Sequence, residues 1–257
     1  MKNSLRLVSL VLLFSVSSSF AVAEEQQLIQ IRIYKLLSKQ KADDFDRMMK
    51  AAIPLLEEAG AEQIGVFERQ NADVSDEEWR FVIVPYKSGD AFLNFAKRFQ
   101  LNPEFGAIAK DYLQTEKSDP AYSRIESSLL RSFTGMPRLK VPGSGEGKKR
   151  IFELRIYESH SELKGKAKIK MFNEGEIQLF EKVGLDAVFY GEAVIANNLP
   201  NLTYMLVHDD EAAQKASWKR FIEHPEWAEM KAIEEYKDTV SKIVKHMLVA
   251  TDYSQIK

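Results

Sequence analysis

Two short segments place a polar residue, an arginine and a tyrosine at alternate positions. Residues 30–34 read Gln-Ile-Arg-Ile-Tyr, and residues 153–157 read Glu-Leu-Arg-Ile-Tyr. Side chains two residues apart share one face of a β-strand, so each segment presents one polar row. These rows consist of Gln30, Arg32 and Tyr34, and of Glu153, Arg155 and Tyr157. A guanidinium removed from water needs an anion or a carboxylate as partner, so the two rows are the strongest candidates for a binding site.

We expect the alternate apolar residues, such as Leu154, to face helices, and both polar rows to face an interior shared by the two halves of the chain. Two arginines and two tyrosines would then approach one cavity, with Glu68 and Glu192 as further partners for the arginines. Two interpretations stay open. The rows form a pocket for an anionic or polar aromatic ligand, or they form a closed salt-bridge network that fixes the packing of two sheets.

Histidine is scarce, and only His208 lies where it could serve such a pocket. It ends a predicted strand near the expected pocket mouth, which allows a general base or a haem ligand as an alternative. His224 precedes Pro225 and is expected to cap a helix, and no histidine has metal-ligand spacing. Because Glu153 and His208 lack counterparts in the first half, we expect the site in the second half. The candidate residues are Arg32, Tyr34, Glu153, Arg155, Tyr157, Glu192 and His208.

The chain repeats itself, and the repeat defines its organisation. The matching blocks are 30–34 with 153–157, 55–60 with 179–184, 63–68 with 187–192, and 97–105 with 219–227. Residues 137–149 are rich in proline and glycine, which is typical of a linker. We therefore predict one domain over 24–136 and a second over 150–257.

Each half shows the same order of predicted elements. Alternation predicts strands at 28–37, 64–68, 79–86 and 127–133, and at 150–159, 188–192, 202–208 and 244–250. Helical spacing predicts helices at 41–59, 90–99, 163–183 and 211–221. The order β-α-β-β-α-β is that of a ferredoxin-like unit. Two such units would pack their bare sheet faces together, which gives an α+β fold with a dimeric α/β barrel formed within one chain.

The sequence resembles the NIPSNAP family of the dimeric α/β-barrel superfamily. The residues that carry the resemblance are 152–157 (Phe-Glu-Leu-Arg-Ile-Tyr), 181–184, 224–227 (His-Pro-Glu-Trp) and, more loosely, 247–251. The first half departs from the pattern at Gln30, Asn102 and Phe105. The resemblance implies the fold and implies no catalytic residues, since the family has none that are settled. Related superfamily members bind haem or carry out cofactor-independent oxygenation, which implies an enzyme of that kind as the alternative function.

The first 23 residues are expected to be a secretory signal peptide rather than part of the fold. Lys2 and Arg6 precede a short apolar run, and an Ala-x-Ala site predicts cleavage between Ala23 and Glu24. Cleavage would take the formal net charge from −2 to −4. A mildly acidic chain without a basic block is a poor nucleic-acid binder. The chain has no cysteine, which excludes thiol catalysis, thiolate zinc sites and iron–sulfur clusters.

Together these features predict an exported protein, periplasmic or extracellular, with no transmembrane segment after cleavage. We expect it to bind a polar or anionic small molecule, or to serve a structural role, through the interior between its units. Neither a reaction nor a cofactor is predicted, and further homo-oligomerisation stays open. An enzyme would need an open pocket with a base beside it, whereas a scaffold would show the Arg–Glu rows closed and dry.

Overall fold

The computed structural model describes residues 25–71, 77–99, 102–141, 143 and 149–257. The predicted signal peptide and residues 142 and 144–148 of the predicted linker lie outside these ranges. No helix in the described ranges has the length and apolarity needed to cross a bilayer.

Two successive units have the same order of strands and helices. The N-terminal unit contains β1 (Leu28–Leu36), α1 (Lys39–Glu58), β2 (Gly65–Arg69), β3 (Glu78–Tyr86), α2 (Gly89–Phe99), α3 (Pro103–Ile108), α4 (Lys110–Leu113) and β4 (Tyr122–Ser132). The C-terminal unit contains β5 (Ile151–Glu158), α5 (Glu162–Met171), a π-helical turn (Phe172–Glu176), α6 (Ile177–Val183), β6 (Asp186–Ile195), β7 (Asn201–His208), α7 (Glu211–Glu223), α8 (Pro225–Ala232), a 3₁₀ turn (Glu234–Tyr236) and β8 (Lys242–Ala250). All predicted strands and helices are confirmed, with shifted ends.

The local signals in the sequence explain where the first long helix of each unit begins and ends. Ser38 and Ser161 cap the helix starts through their side chains. Gly60 and Gly184 follow the helix ends with φ of 97° and 75°. The segment from the capping serine to the glycine is one residue longer in the C-terminal unit, which contains the π-helical turn. Helix α1 continues through Pro54.

The eight strands form one closed antiparallel barrel in the order β1-β3-β2-β8-β5-β7-β6-β4. Each unit contributes four adjacent strands, with its first strand between its fourth and third. The units join where β2 pairs with β8 and where β4 pairs with β6. The structure therefore confirms an α+β fold with a barrel built from both halves of the chain.

Apolar side chains from all eight strands fill the barrel interior. Ile31, Phe67, Phe152, Leu154 and Leu248 belong to this one buried cluster. The Phe67 and Phe152 rings, one from each unit, have centroids 4.8 Å apart. An eight-stranded barrel is just wide enough for side chains to fill it, so this interior is a packed core, apart from a cavity of about 140 Å³ that Ile31, Leu154 and His246 help to line.

The predicted orientation of the first strands is therefore wrong. Strands β1 and β5 turn their apolar rows into the barrel, and their polar rows face the helices outside it. Tyr34 packs in a cluster with residues of α1, and Tyr157 packs in a cluster with residues of α6. The physical reason is that a closed barrel excludes water from its inside, whereas helices cover the outer face only in part.

Candidate functional site

The two polar rows lie in two separate places, each beneath the helices of its own unit. Strand β1 places Gln30, Arg32 and Tyr34 opposite α1, and β5 places Glu153 and Arg155 close to α7. The rows hold equivalent positions, because Arg32 pairs with Val82 on β3 and Arg155 pairs with Tyr204 on β7 in the same register. The predicted shared cavity does not form.

In the C-terminal unit the row is a closed network centred on Glu153, which is fully buried. Arg155 Nε donates to Glu153 Oε1 at 2.8 Å, and Arg155 Nη2 lies 2.7 Å from the same oxygen as an ion pair. The other carboxylate oxygen accepts from Gln214 Nε2 at 3.0 Å and from Trp218 Nε1 at 2.8 Å. The Arg155 guanidinium also lies 3.8 Å from the Trp218 ring centroid. This network satisfies the arginine internally, but it joins β5 to α7 within one unit, whereas the structural interpretation of the rows had it joining two sheets.

His208 belongs to the same network and does not line an open pocket. Its side chain is 1% exposed, and its Nε2 lies 3.3 Å from Glu153 Oε2. That geometry falls short of a hydrogen bond, and Nε2 has no hydrogen-bond partner among the described residues. Burial by itself raises the pKa of Glu153, but the contacts with His208, Arg155, Trp218 and Gln214 outweigh it and lower the pKa to about 2.

A second buried ion pair fills the space beside Tyr157. Lys168 Nζ lies 2.6 Å from Glu176 Oε2, and both side chains are nearly inaccessible. The ammonium is 4.8 Å from the ring centroid of Phe172 and 5.5 Å from that of Trp227. Burial raises the pKa of the Glu176 carboxyl, which the ammonium partly offsets. With Tyr204 also buried here, the space beneath these helices is occupied by the protein's own side chains.

The N-terminal unit instead contains a cavity of about 530 Å³ between its sheet and its helices. Its apolar wall comes from α1, the two short helices and the sheet. These residues are Met48, Met49, Ala52, Leu56, Val82, Val84, Phe105, Leu113 and Ile125. Its polar groups are Gln30, Arg32, Tyr34, Tyr112, Thr115 and Tyr122. Leu113 and Tyr122 are exposed, so the cavity opens to solvent beside them.

Two polar atoms in this cavity have no partner in the described part of the chain. They are Arg32 Nε and the Tyr112 hydroxyl, both inaccessible to solvent. The Arg32 guanidinium lies 5.2 Å from the Tyr34 ring centroid. Burial raises the pKa of Tyr34 and of Tyr112, so both phenols stay protonated near neutral pH and can donate. Buried polar groups are normally hydrogen-bonded. Both residues line the cavity, and their unpartnered atoms lie just behind its surface, where a small displacement of either side chain would bring them to a ligand.

The cavity exists because smaller residues hold equivalent positions in the N-terminal unit. Val82 stands opposite Arg32, where Tyr204 stands opposite Arg155. The Tyr204 hydroxyl reaches Tyr157 at 2.7 Å, and a valine leaves that space empty. Sequence comparison of the two halves could have shown this difference, but only once the strand register was known.

The remaining predicted residues lie elsewhere. Glu192 pairs with Arg131 at 2.7 Å, and Glu68 lies 3.7 Å from Arg80, so neither is a partner of Arg32 or Arg155 as predicted. His224 caps α8 by accepting from the backbone of Glu226, as predicted. No group of three or more metal-ligating side chains occurs among the described residues.

Sequence reasoning missed Gln214, Trp218 and Tyr112 as members of the two sites. The indole N–H and the ring of Trp218 both serve the polar network. Tyr112 lies outside every repeated block, so the repeat gave no signal for it.

Among known protein families, a match is found for the C-terminal unit only. Residues 152–255, which are less than half of the chain, match the NIPSNAP family. No curated protein matches the chain.

Comparison with solved structures shows the fold. A candidate monooxygenase from Fusobacterium nucleatum is 12% identical, with 88% of this chain and 93% of that chain covered and a TM-score of 0.55. A candidate monooxygenase from Lactobacillus acidophilus is 12% identical, with 88% and 94% covered and a TM-score of 0.54. A NIPSNAP-like domain protein from Burkholderia xenovorans is 17% identical, with 42% and 90% covered and a TM-score of 0.38.

Proposed function

We propose that this protein binds a small molecule with an apolar body in the cavity of its N-terminal unit. The observation that carries the proposal is the contrast between the units. At equivalent positions, the C-terminal unit fills the space beneath its helices and leaves a wide, shallow groove beside Arg155, Gln214 and Trp218, where Arg155 is already paired with Glu153. The N-terminal unit leaves about 530 Å³, with an unpartnered Arg32 Nε. That volume lies within the usual range for ligand pockets, roughly 300–1,000 Å³.

Binding fits the cavity better than acid–base catalysis does. Its described lining offers an amide, a guanidinium and hydroxyls, and it contains neither a carboxylate nor an imidazole. The carboxylate and imidazole pair Glu153 and His208 is buried in the other unit. A general base must reach the proton that it removes, and that pair does not line the cavity. This cavity replaces the barrel interior, which is packed, as the place where a ligand would lie.

A cavity-filling substitution tests the proposal. Val82→Tyr gives the N-terminal unit the residue that stands at the equivalent position in the C-terminal unit, and Val82→Thr is the matched control of nearly unchanged size. The probe is the amphipathic anionic dye 8-anilinonaphthalene-1-sulfonate, titrated by fluorescence. We expect saturable binding of one dye per chain in the wild type and in Val82→Thr, and a loss of at least about tenfold in affinity in Val82→Tyr.

Absence of saturable binding in the wild type would contradict the proposal. Unchanged affinity in Val82→Tyr, with a thermal unfolding midpoint close to that of the wild type, would contradict it equally. A Val82→Tyr protein that failed to fold would be replaced by Val84→Leu, which also copies the C-terminal unit because Leu206 holds the equivalent position.

We also propose that the two units are tandem copies of one ferredoxin-like domain, over 24–136 and 150–257, in a protein exported to the periplasm or beyond. The identical strand order in both units supports the duplication. The N-terminal sequence pattern supports export. N-terminal sequencing of the mature protein tests export, with Glu24 expected as the first residue and an intact Met1 as the contradicting result.

A further inference from the structure

The two units differ in one residue that decides whether their arginine has an internal carboxylate. In the C-terminal unit, Glu153 lies two positions before Arg155 on β5, accepts from its Nε and forms an ion pair with its guanidinium. In the N-terminal unit, the equivalent residue before Arg32 is Gln30. Glutamate and glutamine have nearly the same shape. The N-terminal unit therefore has the same side-chain volume at this position but lacks the negative charge.

Gln30 does not replace the missing partner. Its side-chain nitrogen donates to Ser127 Oγ at 3.1 Å, and its side-chain oxygen accepts from the Tyr86 hydroxyl at 3.1 Å. Across the sheet, Arg32 stands opposite Val82 on one side and Ser127 on the other. Within the described part of the chain, Arg32 forms no ion pair, and its Nε has no acceptor. A guanidinium beside an apolar cavity is therefore left without its counter-charge.

We infer that the ligand of the cavity is a monocarboxylic acid with an apolar body, and that its carboxylate gives Arg32 what Glu153 gives Arg155. This inference rests on the proposed binding function and names its ligand class. Arg32 is the one cation among the described lining residues, which matches a single negative charge. The Tyr112 hydroxyl is a second donor without a partner. The apolar wall supplied by Met48, Met49 and Leu56 would take the rest of the molecule.

The C-terminal unit also provides the substitution that tests the inference. Gln30→Glu installs in the N-terminal unit the carboxylate that already pairs with arginine in the other unit. The new side chain should occupy the Arg32 guanidinium and repel an incoming carboxylate. Gln30→Met is the matched neutral control, because it keeps the length of the side chain and adds no charge. Arg32→Gln removes the proposed partner directly.

The experiment compares 2-naphthoic acid with 2-naphthamide, which have nearly the same shape and differ in charge, by isothermal titration calorimetry near pH 7. We expect the wild type to bind the acid at least about tenfold more tightly than the amide, as charge-assisted hydrogen bonding to arginine would give. Gln30→Glu and Arg32→Gln should abolish that preference, so that the acid and the amide bind each variant with affinities within about threefold of each other. Gln30→Met should keep the preference.

The outcomes separate this inference from the function on which it rests. Equal binding of the acid and the amide by the wild type would overturn the inference and leave a neutral-ligand site standing. An acid preference that persists in Gln30→Glu would also overturn it. If 8-anilinonaphthalene-1-sulfonate binds and neither naphthyl compound does, the inference of a carboxylate ligand is overturned and the proposed binding function stands. If none of the three binds, the proposed function is overturned as well.

Discussion

Removing the charge of Glu153 should destabilise the protein by an amount that depends on pH. Its pKa is lowered from the ordinary 4.5 to about 2. At about 1.36 kcal/mol for each pH unit, this difference corresponds to about 3 kcal/mol. Because the folded state holds the carboxylate more tightly than the unfolded state does, this stability is fully present above about pH 4.5 and is lost as the pH falls toward 2.

The variant is Glu153→Gln, and the assay is urea unfolding followed by far-ultraviolet circular dichroism. This signal avoids Trp218, whose indole contacts Glu153 directly. We expect the variant to be less stable than the wild type by about 3 kcal/mol near pH 7, and by less than about 1 kcal/mol near pH 2, where the wild-type carboxyl is also becoming protonated.

Glu192→Gln is the control, since Glu192 also pairs with an arginine but at the half-exposed surface. Such pairs contribute about 0–1 kcal/mol, so this variant should stay close to the wild type throughout the titration. A Glu153→Gln destabilisation of equal size at both ends of the pH range would refute the reasoning. It would show that side-chain fit, rather than the charge, stabilises the network.

Two further predictions concern the packed parts of the molecule. Lys168→Met should lower the free energy of unfolding by about 3–5 kcal/mol, because it leaves Glu176 buried without its cation. Adding Glu176→Leu should recover most of that free energy, as measured by urea unfolding. A double variant that stays as unstable as Lys168→Met would contradict this. A double-mutant cycle of Phe67→Leu and Phe152→Leu should give a coupling of about 0.5–1.5 kcal/mol across the barrel, and zero coupling would contradict contact between the two units' apolar rows.

The elements of the fold could be predicted from the sequence because each depends on local chemistry. Alternating residues mark β1 and β5, and Ser38 and Ser161 cap the helices that follow them. The repeated blocks then gave the order of the elements in both units. Each of these signals is contained in a few neighbouring residues, so no tertiary information was needed.

The choice of face could not be predicted in the same way. The two-residue alternation of a strand puts Arg155 and Leu154 on opposite faces, but it does not determine which of the two faces the barrel interior. That choice depends on closure by the seams β2–β8 and β4–β6, which pair strands distant in sequence. Closure makes the inside the driest region of the fold, so the aliphatic row takes it and the arginine row turns outward. The cavity follows from a further non-local fact, the size of Val82 opposite Arg32.

The size of the cavity also argues that it is a working space rather than a packing defect. An empty sealed void costs about 24 cal/mol per Å³, so 530 Å³ would cost about 13 kcal/mol. That is as much as the whole stability of an ordinary domain, about 5–15 kcal/mol. The space must therefore be open to water or filled. Its walls are well packed, since the Phe45 ring contacts Tyr34 and Tyr112 at centroid distances of 4.5 and 5.3 Å. A preformed cavity that sets an apolar wall beside Arg32 favours the binding of an amphipathic anion.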